Sequence, residues 1–353
     1  HVENLVLTGM NCARINCAHD DAKVWAAMIA NVRAAARANG RNCLVLMDLA
    51  GPKIRTRYVM TPPDRKTVSA GDRIFLTFGK PAENAEFAFQ TSCTMPSVMN
   101  QVSAGAAASI KDGLIQGVID EVRADGLVMR VARTPPEGQP LQKEKGINFP
   151  GTALRLSPLT PDDLTNLDFV SEHADITSYS FVQEPKDIAL LQSELVKRRP
   201  NRPPTPIVAK IETQLALDNL PDLIVQAAGA NPFAVMIARG DLAVEVGYER
   251  LSEVQEEILW LCEAAHVPVI WATQVLESLT HDGSLSRPEL TDAAASARAD
   301  CVMLNKGPHL LRALSVLVDI HTRMAGHQQK KNPQLRALSL ASRLLENGDG
   351  PAA

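Results

Sequence analysis

Short apolar runs alternate with longer amphipathic stretches along most of this chain. The apolar runs are CARINCA (12–18), CLVLMDL (43–49), ADITSYSF (174–181), PIVAKIE (206–212), AVMIARG (234–240), PVIWATQ (268–274) and CVMLNKG (301–307). Helix-like stretches lie at 21–38, 184–198, 213–228, 249–265, 289–298 and 308–324. From 174 onward the runs begin about 30 residues apart, the usual length of a strand, a helix and their turns. This spacing predicts parallel strands joined by helical crossovers.

One interval breaks this rhythm, because a far longer stretch separates the second apolar run from the third. It contains TVSAGDRIFLTF (67–78), AAASIKDGLIQGVIDEV (106–122) and GLVMRVAR (126–133). Short alternating runs divided by Gly, Asp and Pro are typical of β-strands and tight turns. The stretch is therefore predicted to be a small all-β lid domain inserted into the repeating units.

Charged and hydroxyl residues follow several of the apolar runs, at the end where a parallel strand finishes. Side chains gathered at strand C-termini favour a closed barrel over an open sheet. We therefore predict a (β/α)8 TIM barrel with an inserted all-β lid, and expect its first strand to lie upstream of His1. The predicted bounds are 1–55 and 146–326 for the barrel, 56–145 for the lid, and 327–353 for a polar tail with a short amphipathic helix.

Composition narrows the classes of partner. The chain has 353 residues, 45% hydrophobic and 4% aromatic, with a formal net charge of −4. This charge provides no field for nucleic acid or anionic lipid. The chain has no apolar run long enough to span a membrane and no signal-peptide layout. The six cysteines form no C-x-x-C pair, which predicts buried, reduced thiols in a soluble cytoplasmic protein.

Three of the apolar runs end in residues suited to binding a metal and an anion. Lys210 and Glu212 are two residues apart, so on a strand they project to the same side. Lys210 would either meet an anion or pair with Glu212, and Asp241 would either bind a cation or cap the next helix. Two carboxylates with substrate oxygens and water are a usual Mg²⁺ arrangement. Thr273 adds a hydroxyl at the third run.

Seven segments together resemble the pyruvate kinase family in order and spacing. They are GMNCARINCAHD (9–20), MDLAGPKIRT (47–56), the inserted stretch, KGINFPG (145–151), AKIET (209–213), IARGDLAVEV (237–246) and WATQVLESL (271–279). The resemblance implies transfer of a phosphoryl group from phosphoenolpyruvate to ADP, giving pyruvate and ATP in glycolysis. It covers nearly the whole predicted barrel and lid.

The resemblance also implies roles for residues at the substrate. Lys210 would neutralise the phosphoryl group in transit, and Arg14 would grip the phosphate. The backbone N–H groups of Gly240 and Asp241 would receive the substrate carboxylate. Thr273 would contact that carboxylate near the carbon that gains a proton.

Further roles concern the metal and the nucleotide. Glu212 and Asp241 would bind Mg²⁺, with Mn²⁺ as a substitute. His19, Arg55 and Lys145 would lie against the nucleotide phosphates. The sequence leaves a homo-oligomer open.

The chain departs from the family at the monovalent-cation site. Asn16 and Asp48 match the K⁺ ligands, but Ala18 stands in place of a serine and Lys53 in place of a glutamate. We infer that the Lys53 ammonium takes the role of K⁺, so that activity would be independent of K⁺. The alternative is that Lys53 is a solvent-facing loop lysine.

A second departure concerns the last strand, where LNKGPH (304–309) replaces the family's Ser-Gly-Glu-Thr run. We also expect the family's C-terminal regulatory domain to be absent. Two alternatives therefore stay open. One is a Mg²⁺-dependent aldolase or lyase acting on 2-oxo acids, and the other is a catalytically weak relative that binds phosphoenolpyruvate.

Overall fold

The computed structural model describes residues 1–83 and 86–325, which divide into two compact units. The first unit comprises His1–Gly51, Leu159–Arg239 and, of the described residues, those from 250 to 325. The second comprises Pro52–Pro158 and Gly240–Glu249. The predicted tail helix within 327–353 lies outside the described residues.

The first unit is built on a parallel sheet whose strand order follows the chain. Its described strands are Cys12–Asn16, Leu44–Asp48, Ile176–Tyr179, Ile207–Ile211, Phe233–Ala238, Val269–Ala272 and Cys301–Val302. Each of these seven strands pairs in parallel with the one that follows it in this series. The sheet curls into a nearly closed barrel, which confirms the predicted α/β barrel fold.

Helices connect these strands. Their bounds are Val2–Thr8, Ala22–Ala38, Pro161–His173, Pro185–Arg198, Gln214–Asp218, Leu220–Ala228, Arg239–Val246, Tyr248–Ala264, Glu277–Asp282, Arg287–Ala295 and Leu310–Ala325, with a 3₁₀ turn at Ser296–Arg298. The stretch predicted as one helix at 213–228 is two helices, because Pro221 lacks the N–H group that a continuous helix needs. Sequence patterning missed Pro161–His173, Arg239–Val246 and Glu277–Asp282.

The side chains in the barrel interior are apolar in the middle of the strands and charged at the C-terminal ends of the strands. Leu46, Val208, Met236 and Ala272 pack together as one buried cluster. Side chains two residues apart on a strand share a face. Asp48 therefore follows Leu46 into the interior, and Lys210 follows Val208, both at the C-terminal end of their strands.

The second unit is β-rich. Its strands are Thr56–Met60, Thr67–Val68, Arg73–Thr77, Phe89–Cys93, Ala107–Ile110, Ile115–Arg123, Gly126–Arg133, Gln139–Pro140 and Ile147–Asn148, with one short helix at Pro96–Met99. Seven of these strands form one mainly antiparallel sheet, in which only Arg73–Thr77 and Phe89–Cys93 pair in parallel. Ile54, Ile74, Ile119 and Met129 belong to its buried core.

All six cysteines are free thiols, and four of them are buried. The prediction of buried thiols is wrong for Cys301, which is exposed, and Cys12 is only half-buried. Its strand, Cys301–Val302, ends the order of strands in the barrel sheet among the described residues.

Candidate active site

Asp48 is the buried centre of the charged layer in the barrel. Only 1% of its surface is exposed. Arg14 donates from both Nε and Nη2 to Asp48 Oδ2, with Nε 2.9 Å away. Lys210 Nζ lies 3.3 Å from the same oxygen. Two cations from strands far apart in sequence thus converge on one carboxylate.

The same contacts control the protonation of Asp48. Burial by itself would raise the pKa of this carboxyl group, because the charged form loses its hydration. The Lys210 ammonium and the Arg14 guanidinium oppose that effect, and together they lower the pKa of Asp48 below its ordinary value. Asp48 is therefore a carboxylate at neutral pH.

Lys210 also contacts Ser180, which directly follows the strand Ile176–Tyr179, and Glu212, two residues further along its own chain segment. Its Nζ donates to Ser180 Oγ over 2.7 Å and lies 3.2 Å from Glu212 Oε1. The other oxygen of Glu212 accepts a hydrogen bond of 2.7 Å from the Phe181 backbone N–H. Both carboxylates beside Lys210 are held by further contacts, so the ammonium position is fixed from several sides.

Sequence reasoning missed Ser180 and Asp163, which shape this region. Ser180 Oγ donates to the Leu49 carbonyl oxygen over 2.6 Å. Fully buried Asp163 accepts from the N–H groups of Ala50 and Gly51, while it also forms a capping box with Thr160. The T-x-x-D spacing before a helix was a readable signal for the cap. Its second role, holding the loop after Leu44–Asp48, depends on tertiary contacts.

In the second unit, an antiparallel ribbon carries two of the three predicted nucleotide residues, Arg55 and Lys145. Thr56 N–H donates to the Lys145 carbonyl and Ile147 N–H donates to the Ile54 carbonyl, each over 2.8 Å. Arg55 forms an isolated bridge with Gly146, and its Nη1 lies 3.2 Å from the Glu144 carbonyl oxygen. The ribbon therefore brings Arg55 and Lys145 onto neighbouring strands.

Asp241 is bound to this ribbon. Its Oδ2 lies 2.8 Å from Lys53 Nζ, and its Oδ1 is 3.4 Å from Asn148 Nδ2. Gly146 leaves room for the Lys53 stem, because a Cβ there would lie 3.2 Å from Lys53 Cε. Asp241 itself lies in the first turn of the helix Arg239–Val246. Lys53 is thus an ion-paired residue, with 22% of its side chain exposed.

Carboxylate oxygens, the donors that a hard divalent cation prefers, occur in each unit: Glu212 in the first and Asp241 in the second. Asn148 Oδ1 is buried beside Asp241 and has no hydrogen-bond partner within the described part of the chain. Among those residues, no group of three or more His, Cys, Asp or Glu side chains is arranged to hold a metal. A bound cation would therefore take most of its ligands from substrate and water.

Comparison with known proteins identifies the family to which this chain belongs. A family model described as the pyruvate kinase barrel domain matches residues 1–308. The chain belongs to the pyruvate kinase family. This finding agrees with the strand-end residues and the β-rich unit described above.

Curated relatives support the same assignment. Pyruvate kinase of Mycobacterium intracellulare is 33% identical over 316 residues, which cover 85% of this chain and 61% of the relative. Pyruvate kinase PKLR of Homo sapiens is 30% identical over 314 residues, covering 86% of this chain and 53% of the relative. The Bacillus licheniformis pyruvate kinase is 31% identical over 304 residues, covering 85% and 50%. The chain thus spans between half and about three-fifths of the length of these relatives.

The remaining residues predicted from the pyruvate kinase motifs lie in two turns of the first unit and at the start of one helix. Asn16 Oδ1 accepts a hydrogen bond from the Ala18 N–H, and its carbonyl oxygen accepts from the His19 N–H. The His19 carbonyl in turn accepts from Trp25 Nε1 over 2.9 Å. Thr273 directly follows the strand Val269–Ala272 and has a φ of 66°. Gly240 belongs to the first turn of the helix Arg239–Val246.

The segment that departs from the family also has defined neighbours. Asn305 Nδ2 is 3.5 Å from Glu277 Oε1, and Lys306 is exposed. Gly307 packs so closely on Thr280 that a Cβ would lie 2.4 Å from the Thr280 carbonyl oxygen. Glycine is therefore required in this divergent segment.

Among the helices of residues 1–83 and 86–325, none is long and apolar enough to cross a membrane.

Proposed function

We propose that this chain transfers a phosphoryl group from phosphoenolpyruvate to ADP, forming pyruvate and ATP. The observation that carries the proposal is the convergence of Arg14 and Lys210 on buried Asp48, with Glu212 on the other side of the Lys210 ammonium. Arg14 and Lys210 come from separate strands at the end of the barrel where the enzymes of this fold class bind substrate. Enzymes that transfer phosphoryl groups act mainly by positioning charge along an in-line path.

Formal charge explains why a metal is part of the proposal. Two cations and two carboxylates sum to zero in this cluster, whereas phosphoenolpyruvate carries about three negative charges. When bound, Mg²⁺ would supply the missing positive charge to the phosphoryl and carboxylate groups. Glu212 and Asp241 are the residues proposed to hold it, with Mn²⁺ as a substitute.

The reaction steps assign roles to this chain's own side chains. An oxygen of the β-phosphate of ADP attacks phosphorus, and the bond from phosphorus to the enol oxygen breaks. Lys210 and Arg14 would neutralise the phosphoryl group during that transfer. The electron pair stays on the enolate, whose terminal carbon then takes a proton beside Thr273. The N–H groups of Gly240 and Asp241 would bind the substrate carboxylate.

Nucleotide and monovalent-cation roles complete the proposal. His19, Arg55 and Lys145 would contact the phosphates of ADP. Asn16, Asp48 and Lys53 form the proposed monovalent-cation region, in which the Lys53 ammonium replaces K⁺. The 2.8 Å pair with Asp241 supports a fixed positive charge at Lys53 rather than a solvent-facing lysine. A cytoplasmic location and a homo-oligomer stay predictions.

The deciding experiment measures pyruvate release from phosphoenolpyruvate with ADP and Mg²⁺, for the parent chain and for Lys210→Ala. Lys197→Ala is a matched control, because Lys197 is an exposed helix lysine that pairs with Glu194. We expect ADP-dependent release that Lys210→Ala abolishes and Lys197→Ala preserves. Release that survives Lys210→Ala would refute the proposed role of this lysine.

Two other outcomes would favour the alternative functions. Cleavage of a 4-hydroxy-2-oxo acid without use of ADP would favour the aldolase or lyase. Binding of phosphoenolpyruvate without any ADP-dependent release would favour the weak relative.

A further inference from the structure

Arg239 is a charged residue to which the proposed reaction gives no role. It is nevertheless almost fully buried, with 6% of its surface exposed. Its Nε donates to the Ala272 carbonyl oxygen over 2.9 Å, and its Nη2 donates to the Thr273 carbonyl oxygen. A buried guanidinium is costly unless its charge and its N–H groups are matched. Two of the N–H groups of Arg239 are therefore matched by carbonyl oxygens of the backbone at Thr273.

Asp292 and Trp271 complete the surroundings of this cation. Asp292, on the helix Arg287–Ala295, accepts from both Nη1 and Nη2 of Arg239. The guanidinium carbon lies 4.9 Å from the centre of the Trp271 ring, a cation–π distance. The planar fork of arginine suits such a set of acceptors, and a lysine ammonium cannot reach all of them at once.

The backbone held by Arg239 is in an unfavourable conformation. Thr273, Gln274 and Leu276 have φ values of 66°, 58° and 48°. Residues with a Cβ rarely adopt positive φ, and a β-branched threonine is a clear outlier. Such conformations persist only where the surroundings hold them. The two carbonyl contacts from Arg239 lie at the start of this strained segment.

We propose that Arg239, backed by Asp292, is a positioning residue that fixes the strained backbone at Thr273 and so directs its side chain. This inference rests on the proposed function, in which Thr273 lies beside the carbon that takes the proton. Ala238 and Ala272 are register partners on neighbouring strands. Arg239, directly after Ala238, thus ties the strand that leads into Gly240 and Asp241 to the strand that leads into Thr273.

A double-mutant cycle tests whether Arg239 acts through Thr273. Arg239→Lys keeps the charge but loses the fork, and a displaced catalytic group should lower kcat by about tenfold to a hundredfold. In a Thr273→Ala background, the same change should alter kcat by no more than about twofold, because the group that it positions is gone. Equal losses in both backgrounds would overturn the proposal.

Arg198→Lys is the matched control. Like Arg239, Arg198 donates to two backbone carbonyls, those of Glu194 and Leu164, and it pairs with the carboxylates of Asp168 and Glu194, but on the outer helices of the barrel unit. Arg198→Lys should leave kcat unchanged. A fall in kcat as large as that of Arg239→Lys would mean that any such arginine acts only through stability, against the proposal.

A second measurement does not depend on activity. Amide hydrogen–deuterium exchange of the peptide that covers 273–276 should be faster in Arg239→Lys and in the milder Asp292→Asn, and unchanged in Arg198→Lys. Unchanged exchange in both Arg239→Lys and Asp292→Asn would overturn the inference. A parent chain that releases no pyruvate would refute the proposed function alone, and the exchange result would still decide whether Arg239 holds this segment.

Discussion

Lys53 and Asp241 form an ion pair, with 2.8 Å between the ammonium nitrogen and the nearer carboxylate oxygen. They are 188 residues apart in the chain. Lys53 stands where the family has a glutamate, and Asp241 is the predicted Mg²⁺ ligand. One contact therefore links the proposed replacement of K⁺ to the proposed metal site.

The first prediction concerns K⁺. Because Lys53 supplies a fixed positive charge, pyruvate formation by the parent chain should be nearly the same with and without K⁺. Lys53→Met should lower turnover in buffer free of K⁺, and added K⁺ should restore part of it. The measurement is the steady-state rate in K⁺ and in tetramethylammonium salts of equal ionic strength. Strong activation of the parent by K⁺ would disprove the replacement.

The second prediction concerns metal affinity. Lys53 occupies one oxygen of Asp241 and repels a nearby cation, so Lys53→Met should bind divalent metal more tightly. Titration with Mn²⁺, followed by electron paramagnetic resonance of the free ion, measures this without turnover. Lys66→Met removes an exposed lysine from the same β-rich unit and should leave the affinity unchanged. Weaker Mn²⁺ binding by Lys53→Met would show that the lysine helps to form the metal site.

The third prediction concerns Asp48 and pH. Asp48→Asn removes the buried charge that Arg14 and Lys210 share, and should lower the free energy of unfolding by about 3 kcal/mol at pH 7. The lowered pKa of Asp48 means that the unfolded chain takes up its proton first as the pH falls. The contribution is therefore fully present above the ordinary aspartate pKa of about 4, and disappears as the pH falls below it toward the lower pKa of the folded state.

Urea unfolding of the parent and of Asp48→Asn between pH 7 and pH 3 measures this difference. Asp168→Asn is the control, because Asp168 forms an exposed pair with Arg198 and should change stability by less than about 1 kcal/mol. A difference between parent and Asp48→Asn that stays constant down to pH 3 would contradict the assigned contacts.

The fourth prediction separates backbone conformation from close packing. Gly51 and Gly40 have similar φ values of 65° and 58°. A Cβ at Gly51 would lie 2.8 Å from Ser180 Cβ, whereas a Cβ at Gly40 would meet nothing within 4 Å. Gly40→Ala should cost about 1 kcal/mol for the left-handed conformation. Gly51→Ala should cost more, and should also lower kcat because Ser180 accepts a hydrogen bond from Lys210.

Thermal unfolding and pyruvate release measure these two effects. Equal destabilisation by Gly51→Ala and Gly40→Ala would show that the loop moves away from Ser180 at little cost. Unchanged kcat in Gly51→Ala would show that the loop at Gly51 does not affect the position of Lys210.

Short-range rules allowed the sequence to predict part of the geometry at the strand ends. Lys210 and Glu212 are two apart on a strand, and in the structure their charged atoms lie 3.2 Å apart. Asp163 could be read as a helix cap but not as the residue that holds Ala50 and Gly51, which lie more than a hundred residues earlier. No local pattern indicates the carbonyl partners of Arg239, since they depend on the unusual φ of Thr273.

What the sequence determined by itself is the rhythm of strands and helices, the inserted β-rich stretch and the set of residues that carry charge at strand ends. These follow from side-chain periodicity and turn chemistry, which act over a few residues. The tertiary structure decided which charges meet. Asp48 pairs with both Arg14 and Lys210, and Lys53 pairs with Asp241, because strand register and loop anchoring bring together groups that no local pattern connects.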